Sequence, residues 1–438
     1  MSVEHLHAVP HLTTVLTGPL QQLEQRFLER QTEIESWLRS QWLETPAPFY
    51  CSVDLRNAGF KLAPVDTNLF PAGFNNLNPA FYPLCVHALQ TALERVCATA
   101  VRVLLIPESH TRNVFYFENL AALTEVLTRA GVRVRIGSLS EEVTTPQEIA
   151  LNSGRSLCIE PLVRTGNKLG VAGFTPCMIL LNNDLSSGVP PILQGLDQPI
   201  LPPTALGWAT RLKSQHFNHY REVAKEFAKL VAIDPWLIDP YYRQCGEINF
   251  VKREGEECLR MNVEMLMQDI QAKYDEYGVD RKPFVIVKAD AGTYGMGIMT
   301  VRDPDELAVL NRKQRTRMAA SKGGVDVTKV LIQEGVYTFE TWGAEQQVSE
   351  PVVYMIDHYV VGGFYRVDTA RGVDENLNAP GMHFQPLAFA ESCSNPDTNK
   401  APDANPNRFY AYGVVGRLAL LAAAREMDDV ASTPATDT

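Results

Sequence analysis

Pro283-Phe-Val-Ile-Val-Lys288-Ala-Asp-Ala-Gly292-Thr293-Tyr294-Gly295-Met296-Gly297-Ile-Met-Thr-Val301 is the stretch whose reading decides the fold. Two β-type runs flank a loop with three glycines. Glycine lets backbone amides crowd a polyphosphate with no Cβ in the way, and Lys288 at the end of the first run supplies a fixed positive charge. Strand, lysine, glycine-rich loop, strand is the layout of a hairpin that covers phosphates. A strand follows the loop where a Rossmann turn would lead into a helix, and G-x-x-x-x-G-K-[ST] occurs nowhere in the chain, so both of those nucleotide readings fail. A plain hairpin with a glycine tip is the competing reading, and the residues downstream bear on the choice.

Gln333-Glu334-Gly335-Val336 closes a strand expected over 330 to 334. Further on, Glu350 through Asp368 reads as a hairpin with strands at 351 to 356 and 359 to 366, Asp357-His358 at the turn and Arg366 ending the second strand. Then Asp374-Glu375-Asn376-Leu377-Asn378-Ala379-Pro380-Gly381 concentrates carboxylate and amide oxygens in one turn. Those are the hard donors that Mg²⁺ prefers, although an Asx-rich turn also forms for conformational reasons alone.

Taken in this order, the elements resemble the ATP-grasp fold. The resemblance implies ATP between two α+β lobes, contacted by Lys288, Gly292, Thr293, Tyr294, Gly295, Met296 and Gly297 at the phosphates. It places the backbone and carboxylate of the Gln333-Glu334 hinge at the nucleobase and ribose. Lys288 and Arg366 become the catalytic cations on the transferring phosphoryl group, where electrostatic stabilisation is the main contribution a protein makes. Asp368, Glu375, Asn376 and Asn378 become the candidate Mg²⁺ ligands.

In the N-terminal half, Ser52-Val-Asp54-Leu-Arg56-Asn57-Ala-Gly-Phe-Lys61-Leu-Ala-Pro-Val-Asp66-Thr-Asn68 mixes both charges with amides and shows little periodicity. It is expected to be an irregular segment lining a site. An amino-acid substrate needs a cation for its carboxylate and a carboxylate for its ammonium, and Arg56 or Lys61 with Asp54 or Asp66 meets that need, flanked by Asn57 and Asn68. Glu108 to Asn113, after an apolar run at 101 to 106, is a second candidate loop. Together with the Lys-Ala-Asp-x-Gly-Thr-Tyr-Gly-Met-Gly-Ile loop, the 52 to 77 segment resembles a proteobacterial-type glutamate-cysteine ligase family. That resemblance implies ATP-dependent joining of glutamate to cysteine through an acyl phosphate, the first step of glutathione synthesis, with residues 292 to 297 closing over the intermediate. Another ATP-grasp amino-acid ligase, such as a glutathione synthetase-like enzyme, and a non-catalytic ATP-binding regulator are the rival readings.

Composition narrows the field. With 438 residues, 45% of them hydrophobic and 21% charged, the chain is an ordinary globular protein large enough for two or three domains. A formal net charge of -11 argues against a nucleic-acid footprint, and Arg312, Lys313, Arg315 and Arg317 are expected to decorate one helix. No apolar run of about 18 residues occurs, so no membrane partner is expected and the cytoplasm is the expected compartment. The eight cysteines include no C-x-x-C pair and are expected to be reduced. His216 and His219 share a helix face, more in keeping with packing than with zinc.

The expected organisation is α/β. An N-terminal substrate-binding domain over 1–200 opens with an amphipathic helix at 14 to 43, and the Pro-rich stretch from Gly188 to Pro203 forms the connection. An ATP-grasp-like nucleotide-binding region follows over 201–427, with helices near 205 to 231 and 411 to 427. Residues 428–438 are expected to be a loose tail.

Overall fold

The chain folds as a mixed α/β protein around three substantial sheets. The structure, a computed structural model, describes residues 12–13, 19–109, 113–292, 297–319, 327–343, 345–378, 381–386 and 408–432. The opening amphipathic segment is two helices, Pro19–Glu29 and Gln31–Glu44, interrupted at Arg30. Leu20, Leu23, Phe27, Ile34 and Leu38, the apolar positions at helical spacing, are all within 1% of complete burial.

The six-stranded sheet runs in the order Ile200–Leu201, Met178–Asn182, Arg102–Pro107, Arg133–Ser138, Ser156–Pro161, Gln147–Ala150. All its pairings are parallel except the last. Val103 to Ile106 and Met178 to Leu181 are continuous apolar runs with no exposed surface, as a parallel sheet covered on both faces requires. The Pro-rich stretch does not leave this sheet until its end, because Ile200–Leu201 pairs with Ile179 and Leu180.

The 50 to 68 segment is not the irregular loop the sequence suggested. It forms two antiparallel strands, Tyr50–Asn57 and Leu62–Asn68, in a seven-stranded sheet with the C-terminal strands. Gln347–Ile356 pairs with Tyr359–Asp368 on one side. On the other it pairs first with Glu340–Trp342 and then with Tyr50–Asn57. Behind this sheet runs the helix Arg408–Ser432, in which Leu418 to Ala424 have no exposed surface. This helix continues past Met427, where the loose tail was expected to begin, and Asp429 near its end pairs with His219 at 3.1 Å.

The third sheet has four strands, Tyr242–Cys245, Val330–Glu334, Val285–Ala289 and Ile298–Val301, all antiparallel. The helix Glu256–Tyr277 covers its back with Leu259, Val263, Leu266, Ile270 and Tyr274, spaced by three and four residues so that they form one apolar stripe. The helix at 205 to 231 begins later than expected, at Lys213.

Candidate active site

Strand alternation builds one wall of the site. Asp54 and Arg56 are two apart and share a face of the seven-stranded sheet. Asp54 lies opposite both Val352 and Asp66, and Glu350 lies opposite Arg366, so five charged side chains project together. Arg366 donates through Nη1 to Asp54 Oδ2 at 2.9 Å and to Glu350 Oε1, while Arg56 Nε reaches Glu350 Oε2 at 3.1 Å. Glu350 is thereby gripped by two guanidinium groups. The two N-terminal strands slip register between Asp54 and Leu55, leaving Val65 as an extra residue outside the ladder. Its freed carbonyl accepts from Lys288 Nζ at 2.8 Å, which ties the two sheets together.

The four-stranded sheet supplies the opposite wall. Val285 and Val287 face the core with no exposed surface, which sends Ile286 and Lys288 to the cavity. Gln333 is registered with Ile286 and shares that face, and its Nε2 is buried with no partner. Glu334, one residue on, falls on the other face opposite Val285. Its carboxylate therefore turns inward and accepts from Lys61 Nζ at 2.7 Å, Tyr241 N–H at 2.9 Å and Trp236 Nε1 at 3.2 Å. Three protein donors thus occupy the carboxylate, although Glu334 itself borders the cavity.

Between the walls lies a cavity with about 830 Å³ of empty space. Of the residues singled out from sequence, it brings together Asp54, Arg56, Asp66, Lys288, Gly292, Gln333, Glu334, Arg366, Asn376 and Asn378. Among the described residues it leaves out six that were expected there, Lys61, Asn57, Asn68, Glu375, Asp368 and Gly297. Lys61 is wholly buried against Glu334, and Asn57 donates to Glu340 at 3.0 Å and to Tyr412 at 3.2 Å. Asn68 caps Phe70 N–H at 2.9 Å, and Glu375 caps Gly372 N–H at 2.8 Å and pairs with Arg371 at 3.6 Å. Each of these side chains is consumed by local structure. Gly297 accepts from Ala289 N–H at 3.1 Å as the second hairpin strand begins. Thr293, Tyr294, Gly295 and Met296 lie outside the described residues, as do His110, Thr111 and Arg112 of the second candidate loop.

Besides Glu350, sequence reasoning missed Lys213. It opens the Lys213–Val231 helix, lines the cavity and donates to the Gly292 carbonyl, with Nζ 4.2 Å from the centre of the Trp208 ring. Arg211 and His216 stand beside it in the same segment, but nothing in the linear pattern marks Lys213 as facing Lys288. Arg211 instead makes a bidentate pair with Glu426 at 2.8 and 2.9 Å, and His216 Nδ1 lies 3.3 Å from the same carboxylate.

The electrostatics follow from crowding these charges out of water. Burial lowers Lys213, assisted by the like charges of Lys288 and Arg211, to about 8. Burial lowers Lys288 in the same way. Burial tends to raise Asp66, but Lys213 and then Lys288 outweigh it and hold the carboxyl below its usual range. Asp54 moves the other way, raised by burial in spite of Arg366. Among the described residues no hydrogen bond is donated to the Asp66 carboxylate, so the cavity holds an acidic group with open lone pairs under the influence of two lysines. A polyphosphate fits the lysine side, and a substrate carrying both carboxylate and ammonium fits the Arg56, Arg366 and Asp66 side.

Asp368 follows Arg366 by two residues on the same strand face. Its Oδ1 caps Ala370 N–H at 2.8 Å, while Oδ2 is buried with no partner. A buried carboxylate oxygen without a donor is costly unless a cation satisfies it. Among the described residues no group of three or more His, Cys, Asp or Glu is placed to hold a metal ion. Mg²⁺ does not need one, since it takes one or two carboxylates and fills the rest of its shell with phosphate oxygens and water. Asp368 offers one such carboxylate outside the cavity lining, while Asn378 and Asn376, whose amide oxygen also accepts from Asn378 N–H at 3.0 Å, line the cavity.

A family model described as glutamate-cysteine ligase matches residues 24–427. The chain is similar to a solved structure from Methylobacillus flagellatus KT, provisionally named gamma-glutamylcysteine synthetase. The two share 60% identity with a TM-score of 0.89, over 96% of this chain and 99% of that one. D-alanyl-alanine synthetase A from Vibrio cholerae O1 biovar eltor str. N16961 is much more distant, with 13% identity and a TM-score of 0.34 over 73% of this chain and 81% of that one. No curated protein matches. Among the described residues no helix is long and apolar enough to cross a membrane.

Proposed function

The chain belongs to the glutamate-cysteine ligase family, whose members are ATP-dependent ligases, and we propose that this cavity joins the γ-carboxylate of glutamate to the amine of cysteine through an acyl phosphate. The observation that carries the reading is the pairing of Lys213 and Lys288 on one wall with Arg56, Arg366 and the open carboxylate of Asp66 on the other. The lysines bind the ATP phosphates. Ile286 and Ile298, with the unpartnered Gln333 amide, line the nucleotide side. Arg366 stabilises charge on the transferring phosphoryl group. Asp66 receives a substrate ammonium, and Arg56 helps hold the amino acid in register.

The γ-carboxylate oxygen attacks the terminal phosphorus of ATP and expels ADP. The cysteine amine then attacks the acyl carbon, and phosphate leaves with the C–O electron pair as the amine gives up a proton. No protein nucleophile is required. Asp368, Asn376 and Asn378 would hold Mg²⁺, which supplies positive charge to the phosphate oxygens when bound.

The test is ADP release by the purified protein with Mg-ATP and glutamate alone, glutamate plus cysteine, or γ-glutamylcysteine plus glycine. Turnover with glutamate plus cysteine that disappears in Lys288→Ala is the expected result. Turnover only with γ-glutamylcysteine plus glycine would replace the substrates and keep the site. ATP binding without ADP in any mixture would point to a regulator.

A further inference from the structure

Cys245 ends the outer strand Tyr242–Cys245 of the four-stranded sheet and is 3% exposed. Cys258 stands in the first turn of the Glu256–Tyr277 helix and is exposed to solvent. Their sulfurs are 3.5 Å apart, with the Cys245 thiol donating to Cys258 Sγ. Among the described residues this is the one pair of cysteines joined by a hydrogen bond. The approach is built by the backbone between them. Asn249 and Glu254 exchange two backbone hydrogen bonds of 3.0 and 3.1 Å, and Glu247, Arg253 and Gly255 take positive φ values of 57°, 63° and 78°. The chain thus doubles back and delivers the helix start to the strand end. Asn262 Nδ2 steadies that start from within the helix, 2.9 Å from the Cys258 carbonyl and 3.5 Å from its sulfur.

A disulfide needs sulfurs about 2.05 Å apart, so bonding requires an approach of about 1.5 Å. We propose that Cys245 and Cys258, neither of which lines the catalytic cavity, form a thiol–disulfide exchange site for small-molecule disulfides of the cystine class. The exposed Cys258, as thiolate, attacks one sulfur of the small disulfide. That S–S bond breaks, and one thiol leaves with the electron pair and takes up the proton Cys258 gave to solvent. Cys245 then releases its proton, attacks Cys258 Sγ and expels the second thiol. The protein dithiol loses two electrons and the small disulfide gains them. Burial, together with the neighbouring sulfur, pushes the Cys245 thiol up to about 12, so its attack is the slow step and quickens as pH rises. Cys97, Cys158 and Cys177 are partly exposed without such a neighbour, and they stop at the mixed disulfide.

The full chain is incubated with cystine, quenched in acid, alkylated and digested, and the peptides are identified by mass. The expected product is a Cys245–Cys258 cross-link, reversed by dithiothreitol. Cys245→Ser accumulates cysteinylated Cys258, and Cys258→Ser slows the loss of alkylatable Cys245 by at least about tenfold. A wild-type protein in which Cys258 remains cysteinylated while Cys245 stays alkylatable would overturn the proposal, as would cross-linking no faster than random pairing with Cys97 or Cys177. No reaction at Cys258 over hours at mildly alkaline pH overturns it as well.

Discussion

Lys61 Nζ lies 2.7 Å from Glu334 Oε2 with neither side chain more than 1% exposed, and this pair fastens the turn of the N-terminal hairpin to the back of the hinge strand. Burial lowers the Lys61 pKa even with the carboxylate beside it, which is the mark of a lysine taken fully out of water. The pair joins the hairpin that carries Asp54, Arg56 and Asp66 to the strand that carries Gln333.

Removing one member of such a pair leaves the other buried and uncompensated. Lys61→Met is expected to lower stability by roughly 3 to 5 kcal/mol, because Glu334 retains only the Tyr241 amide and the Trp236 indole as donors. Adding Glu334→Gln, which removes the unpaired charge and keeps an acceptor for one of the two donors, is expected to recover part of that loss. Urea denaturation of the three proteins measures both steps. A Lys61→Met protein within about 1 kcal/mol of the parent, the range of ion pairs at a protein surface, would mean that the pair behaves as a solvated contact.

A second expectation concerns Lys213, whose pKa of about 8 places its loss of charge within an accessible pH range. As pH rises through that value the free enzyme loses one of its two phosphate-facing cations, so kcat/KM for ATP falls. Lys213→Arg is expected to move the falling limb above about pH 10, since a guanidinium stays charged. Lys213→Ala should reduce kcat/KM by roughly 10² to 10³ and remove this limb altogether. Steady-state profiles from pH 6 to about 10 decide it, and an unchanged limb in the arginine variant would assign the titration to another group.

The hairpin of Val285–Ala289 and Ile298–Val301 is legible because Lys288 and the glycines between its strands lie within ten residues of one another. The N-terminal hairpin also carries a usable signal on its first strand. Cys51, Val53 and Leu55 alternate with Ser52, Asp54 and Arg56, the period of a strand with one polar face. Pro64 and the extra residue Val65 blur that period on the return strand, and the segment as a whole then reads as irregular. The Glu334 side chain escapes a sequence reading for a different reason. All five residues from Val330 to Glu334 are buried, so hydropathy is silent about faces, and only registration against Val285 and Ile286 separates Gln333 from Glu334. Lys213 is hidden because its importance depends on a tertiary approach to Lys288 across 75 residues of chain, a separation given by their numbers.

The unpartnered Asp368 oxygen gives a third expectation. Asp368→Asn should raise the Mg²⁺ concentration needed for half-maximal ADP release by about 10- to 100-fold, by analogy with the losses seen when the surroundings of a metal site are altered. Glu375→Gln should change it little, because that carboxylate caps Gly372 and pairs with Arg371. Titrating Mg²⁺ into chelator-treated protein at saturating ATP separates the two. A larger effect at Glu375 than at Asp368 would overturn this choice of ligand.

The last expectation is a stability change with pH at Glu426. Burial would raise this carboxyl, but Arg211 and then His216 override it and hold it at about 2, against 4.5 for the free group. Because the folded value is the lower one, the unfolded chain binds the proton more readily. The stabilisation is therefore complete above about pH 4.5 and is lost as pH falls toward the folded value. His216 lies against the same carboxylate and burial lowers its pKa, so the comparison is made with His216→Gln in both proteins. Between pH 6.5 and 3.5, conditions chosen to straddle the unfolded value, the protein with Glu426 is expected to lose about 1 kcal/mol more than its Glu426→Gln counterpart. Urea midpoints at the two pH values give the difference directly. Parallel losses would mean that Arg211 does not hold the carboxylate more tightly in the folded chain than water does in the unfolded one, and the Arg211–Glu426 clamp on the Thr67 carbonyl would lose its energetic basis.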